Sequence, residues 1–275
     1  MSLLKQALRA GLSPVRLADG AATQQLVIAG AAGPLGAAVL EQALGQGQWG
    51  AVSALVTQPL EVALRGLVAV QVGAELSPAA AFAKPPDTAI VVFDRERSFH
   101  GREAAFLRPQ PDRLAALARW LQAQGVQRLV LVMPHAPSLL PQALKAGLAS
   151  LDEQAVAALG FAQFVIVRPT RLGAGAEAEG LTTNWPHAML SRLAAGLLAQ
   201  LRWMVPQRDQ PLRASKVAQF VIALAQALPQ WPTGTRVAPP ELLWDWAQPG
   251  GGEPVLQAWL RDGRWSAAVQ PAQRW

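Results

Sequence analysis

Leu26-Val27-Ile28-Ala29-Gly30-Ala31-Ala32-Gly33-Pro34-Leu35-Gly36 is the stretch that decides how this chain folds. Four apolar residues run into three glycines, each separated from the next by two residues. A short apolar run predicts a strand, and the glycines predict a tight turn followed by a helix to about Gly45. Gly30 lets the chain turn sharply off the strand, Gly33 lets backbone approach a ligand closely, and Gly36 permits close contact between helix and strand. Pro34 stands at the helix start, where a missing N–H costs least. The amino end of such a helix presents free N–H groups and a positive dipole end, which together suit a diphosphate. A glycine-rich turn that binds nothing is the bland alternative. The strand before it and the helix after it favour nucleotide binding.

Outward from this turn, short apolar runs alternate with helical patterns, the mark of a parallel sheet with crossover helices. Strands are predicted at Val52–Thr57, Leu67–Val72, Thr88–Phe93, Arg128–Met133 and Phe164–Val167. Thr88–Phe93 is apolar on both alternating faces, as a central strand requires. Helices are predicted from Ser77-Pro78, from Asp112 to Gln124 and within Leu139 to Leu159, the last two stopped by Gly125 and Gly160. Leu114, Leu117, Ala118 and Leu121 make one apolar stripe. The pattern predicts an α/β fold, a doubly wound parallel sheet of the Rossmann kind with a small, mostly helical C-terminal part. Three parts are expected: an N-terminal extension over residues 1–24, a dinucleotide-binding domain over 25–170, and a C-terminal region over 171–275. The extension is expected to be helical because Leu4, Leu8 and Leu12 recur at helical spacing. The C-terminal region should carry helices near 187–201 and 215–228 and form a substrate or partner region, with a loop over 171–184.

Bulk composition narrows the classes further. Of 275 residues, 51% are hydrophobic and 15% charged, which excludes a disordered chain. No apolar run reaches the ~20 residues needed to span a bilayer. Lys5, Arg9 and Arg16 near the start suit a targeting peptide or a packed amphipathic helix. The lack of an unbroken apolar core favours the helix, and a cytoplasmic protein is expected. There is no cysteine, so disulfides and thiolate chemistry are out of reach. The net charge of +6 comes from arginines scattered singly, without the basic, aromatic-flanked patch that nucleic acid needs. The histidines, His100, His135 and His187, have no metal-ligand spacing, so no metal is expected.

The spacing of Gly30, Gly33 and Gly36 resembles that of the extended and atypical short-chain dehydrogenase/reductases. The likeness continues at Pro59-Leu60, Val91-Val92-Phe93 and Ala158-Leu159-Gly160-Phe161. It takes in Val165-Ile166-Val167-Arg168-Pro169 with Gly173, and ends at Leu212-Arg213-Ala214-Ser215-Lys216-Val217-Ala218. The small NAD(P)-binding subgroup similar to TIP thirty is the nearest in pattern, over roughly residues 25 to 230. The resemblance implies NADP or NAD as cofactor. It implies cofactor contacts at Gly30, Ala32, Gly33, Pro34, Leu35, Gly36, Thr57, Gln58, Phe93, Asp94 and Met133. Thr57-Gln58 is neither the carboxylate that holds the ribose of NAD nor the arginine that suits NADP, so the choice between them stays open. The charges in Phe93-Asp94-Arg95-Glu96-Arg97 replace a small-residue loop. They could bind ligand, fill the place of a nicotinamide, or form a solvated loop.

The catalytic set of that family is missing. Its proton donor is a tyrosine, with a lysine four residues later, and this chain has no tyrosine. One alignment puts Lys145 and Ala149 at the two positions, the other Pro141 and Lys145. Met133-Pro134 replaces the family's serine, and Lys216 its late aspartate, although Ser215 could cap that helix. His135, on the rim of the expected crevice, and Lys145, if buried and neutral, are the candidate catalytic stand-ins. An exposed loop histidine is the bland reading of His135.

Six of the ten tryptophans, Trp231, Trp244, Trp246, Trp259, Trp265 and Trp275, lie in the last 45 residues. They suit a flap packed on its own domain, or a surface for a second copy or another protein. The expectation as a whole is an NAD(P)-binding protein of reductase ancestry with weak or no oxidoreductase activity. The alternatives are an active reductase or epimerase-like enzyme with a non-standard proton donor, and a scaffold or assembly factor that binds no nucleotide.

Overall fold

The computed structural model describes residues 24–60, 65–73, 76, 82, 84–94, 101–133, 151–169 and 212–262. The N-terminal extension, the helix expected from Ser77, the loop over 171–184 and the helix over 187–201 lie outside the described residues. So do His100, His135, Lys145, His187, Trp265 and Trp275.

The chain runs through β1 (Gln25–Ala29), α1 (Gly33–Gln46), β2 (Ala51–Val56), β3 (Leu67–Gln71) and β4 (Thr88–Val92). A short 3-10 turn (Gly101–Ala105) follows. Next come α2 (Leu114–Ala123), β5 (Arg128–Val132), α3 (Leu151–Ala157), β6 (Gln163–Val167), α4 (Ala214–Ala227), β7 (Gly234–Ala238), α5 (Pro240–Ala247) and α6 (Glu253–Asp262). The strands form one sheet in the order β3-β2-β1-β4-β5-β6-β7, every neighbouring pair parallel. From β1 the chain winds outward to β3, then returns to β4 and winds the other way. The reversal lies between β1 and β4, and in such sheets the ligand crevice is expected there, beyond the carboxyl ends of the strands. The predicted doubly wound sheet is present.

Its inner strands, β2, β1, β4, β5 and β6, are buried on both faces because helices cover both. In β1, Leu26 and Ile28 point into one core while Val27 and Ala29 point into the other, and all four are at most 1% exposed. Residues of α1, α4, α5 and α6 fill the first core, and those of α2 and α3 the second. The stripe Leu114, Leu117, Ala118 and Leu121 is the buried face of α2. The far ends of α1 and α4 are linked by Gln226 Nε2, which donates to Gln46 Oε1 at 2.7 Å.

β7 was not visible in the sequence. Gly234-Thr235-Arg236-Val237-Ala238 has a glycine at its start and an arginine at its middle, yet it pairs along its whole length with β6. The arginine is accommodated by α6. Arg236 donates to the carbonyls of Trp259 (2.6 Å) and Leu260 (3.1 Å) at the end of that helix and lies 3.9 Å over the Trp259 ring. A cation suits the negative end of a helix dipole and the face of an indole. Burial lowers the pKa of Arg236 to about 10, so it remains charged at neutral pH. Trp231, Trp246 and Trp259 pack half-buried against the first core, and Trp246 meets Phe220 edge-on with centroids 5.7 Å apart. These three tryptophans thus pack against the chain's own first core.

Candidate functional site

Two of the three glycines of the turn are required by packing alone. Gly30, at φ +86°, has no room for a Cβ, which would collide with the Val92 carbonyl. A Cβ on Gly36 would collide with the Gly30 carbonyl, so α1 touches its own strand backbone there. Gly33 is different. At φ +83° it faces the crevice, and what a Cβ would meet, at 2.6 Å, is a carboxylate oxygen of Asp94.

That carboxylate has a definite place. The Leu35 N–H donates to Asp94 Oδ2 at 2.8 Å, although 59 residues separate the two in sequence. α1 begins after Ala32, which has no side chain able to cap, and its Pro34 has no N–H. Asp94, just past the end of β4, supplies the missing acceptor from across the crevice. A carboxylate accepting from a helix's first turn is favoured both by a charge-assisted hydrogen bond and by the dipole. The amino end of α1 is thus an anion site, and the anion in it belongs to the chain.

The mouth of the crevice is also crossed by backbone. Residues 105–107 cross the carboxyl end of β2, antiparallel to it at one bridge, and reach Gly30 just past β1. The Leu107 N–H donates to the Leu55 carbonyl (2.9 Å), the Gly30 N–H to the Leu107 carbonyl (3.1 Å), and Val56 and Phe106 form a bridge. The Thr57 N–H donates to the Ala105 carbonyl at 2.7 Å, with Gln58 N–H at 3.4 Å and Thr57 Oγ1 at 3.3 Å from the same oxygen. Thr57 and Gln58, expected beside a cofactor ribose, therefore direct their backbone donors to this strap. Sequence reading missed the strap entirely; its one signal is the apolar run Ala104-Ala105-Phe106-Leu107 between charged neighbours.

The other expected contacts are divided. Gly30, Ala32, Gly33, Pro34, Leu35 and Gly36 form the turn, with Asp94 against it. Phe93 is 6% exposed and packs in the second core, with Met133 against the same core. Both are fixed by ladder bonds, Phe93 N–H to Val132 and Met133 N–H to Val167. Ser215 does not cap α4: that helix begins one residue earlier, after Arg213, and has no side-chain cap. Lys216 is exposed in its first turn.

At the end of β6, Arg168 of the Arg-Pro element is 2.8 Å from Glu153 of α3, with side chains 3% and 5% exposed. Glu153 had no sequence signal; it is an acid in the first turn of a helix, a common surface position. A concavity of about 490 Å³ lies elsewhere, lined by residues including Gln25, Ala51, Ser53, Val68, Val70 and Lys84 toward the amino ends of β1 and β2. Among the described residues no His, Cys, Asp or Glu group could hold a metal ion, and no helix is long and apolar enough to cross a membrane.

Fold and turn together define a doubly wound α/β protein of the Rossmann class, with its crevice at the β1–β4 reversal. No protein-family model and no curated protein matches the sequence. Among solved structures, the chain is similar to a Rossmann-fold NAD(P)-binding family protein from Shigella flexneri. That match has 15% identity and a TM-score of 0.46, and covers 78% of this chain and 92% of the other. It is also similar to the Bordetella bronchiseptica enzyme WbmG in complex with NAD (15% identity, 91% and 83% covered, TM-score 0.46). A third is UDP-glucose 4-epimerase from Brucella ovis in complex with NAD (16% identity, 92% and 88% covered, TM-score 0.46). At these identities the likeness is one of fold.

Proposed function

We propose that this chain is a dinucleotide-binding Rossmann protein of short-chain dehydrogenase/reductase ancestry with weak or no oxidoreductase activity. The observation that carries the reading is the glycine turn itself. It delivers the amino end of α1 to the sheet's reversal point, and the carboxylate found there is a stand-in for an anionic ligand. The cradle fits a diphosphate in its chemistry: Leu35 N–H would hold a phosphoryl oxygen once Asp94 leaves it, and Gly33 adds no side chain of its own to the approach. A bound NAD or NADP would supply hydride chemistry. The chain's own part in such chemistry is deficient, since no tyrosine exists to move a proton and Met133-Pro134 stands where a serine would orient a carbonyl.

A second reading is favoured by the strap, whose backbone is bonded across the carboxyl end of β2 and to Gly30 of the turn. On that reading the fold is kept as a scaffold and binds no nucleotide.

Calorimetric titration of NADPH and NADH separates the two. At least one dinucleotide is expected to bind, and Gly33→Asp, checked for folding by its melting curve, is expected to abolish the heat. Silence with both dinucleotides, in the native chain and in chains with the Asp94 carboxylate removed, leaves only the scaffold.

A further inference from the structure

We infer that Asp94 and the strap over residues 105–107 form a built-in occupant of the nucleotide site, an autoinhibitory contact that a dinucleotide must displace. The inference rests on the dinucleotide reading above and says how that site is controlled.

Two independent sets of contacts close the same crevice. At its inner end, the Asp94 carboxylate takes the Leu35 N–H that a phosphoryl oxygen would use, 2.6 Å from where a Gly33 side chain would begin. Pro34 offers no N–H, so a diphosphate and the carboxylate compete for the Leu35 amide. Like charges at that distance also repel, which makes joint occupancy unfavourable. At the outer end, the Ala105 carbonyl holds the N–H groups of Thr57 and Gln58, and Leu107 ties the strap to both β1 and β2.

Displacement asks different things of the two ends. Asp94 leaves by rotating its side chain, whereas the strap leaves only by breaking main-chain bonds. Apparent affinity in the native chain is therefore the intrinsic affinity reduced by the fraction of molecules with the crevice open. A carboxylate that fills the site from within also selects against any weakly held anion.

The test compares the native chain with Asp94→Ala and Asp94→Asn. Binding of NADPH, NADH and inorganic pyrophosphate is followed by calorimetry and by quenching of tryptophan fluorescence. Asp94→Ala is expected to bind at least one dinucleotide ten-fold or more tightly than the native chain, with pyrophosphate gaining in the same direction. Asp94→Asn, which keeps an acceptor for Leu35 and loses the charge, is expected to fall between them; it also carries the test if the alanine variant does not fold. Equal affinities in all three proteins would overturn the occupant while leaving the dinucleotide reading intact. No binding in any of them, with folded variants, would overturn the dinucleotide reading, and Asp94 would then be a helix cap only.

Discussion

A methyl group at position 36 has nowhere to go, because the obstacle is a backbone carbonyl of the same turn. At position 33 the obstacle is a rotatable carboxylate, and the penalty is mainly the left-handed backbone, roughly 1–2 kcal/mol for a residue with a Cβ. The two alanine variants should therefore differ. Gly36→Ala is expected to lose more stability than Gly33→Ala, at or beyond the upper end of the roughly 1–3 kcal/mol typical of overpacking. Midpoints of urea unfolding measure this; equal losses would mean that α1 can shift away from β1. The glycine turn was legible because steric needs of this kind are local in sequence. The role of Asp94 was not legible, for it depends on β1 and β4 lying side by side, which only the assembled sheet provides.

At the level of elements, the junction between α3 and β6 holds the clearest energetic wager. Glu153 and Arg168 are both nearly sealed from water. Removing one partner leaves the other charge buried, at a cost of about 3–5 kcal/mol, whereas replacing both with apolar side chains is often close to neutral. Glu153→Met and Arg168→Met are each expected to be strongly destabilised, and the double variant to recover much of the loss. A denaturant double-mutant cycle checks this, and additive losses would show the pair to be energetically independent. Helices and strands with a regular apolar period were found from sequence, as the face of α2 shows. β7 escaped because its centre is Arg236, whose burial depends on the end of α6 and the Trp259 ring. Tertiary partners made a strand from residues whose own preferences were weak.

Across the described residues the molecule is one doubly wound sheet with a core on each face. Its sheet, two cores and reversal point are those of the Rossmann class, and they were legible because apolar runs and glycine stops repeat along two thirds of the chain. The sequence contains no tyrosine, so on the proposed reading the proton donor usual in short-chain dehydrogenase/reductases is lacking. NADPH oxidation against a panel of aldehydes and ketones is expected to stay at the uncatalysed rate, both in the native chain and in Asp94→Ala. Turnover that His135→Ala removes would restore the enzyme reading and make that histidine the proton donor.

The strap has one more consequence, for tolerance to sequence change. Its hold on Leu55 and Gly30, and the Thr57 and Gln58 bonds to Ala105, run from peptide group to peptide group. Amide stitching of this sort carries no residue code. What ties the strap's side chains is packing, since Phe106 sits in the first core and Leu107 against the second, whereas a proline at 107, with no hydrogen to give, would drop a stitch.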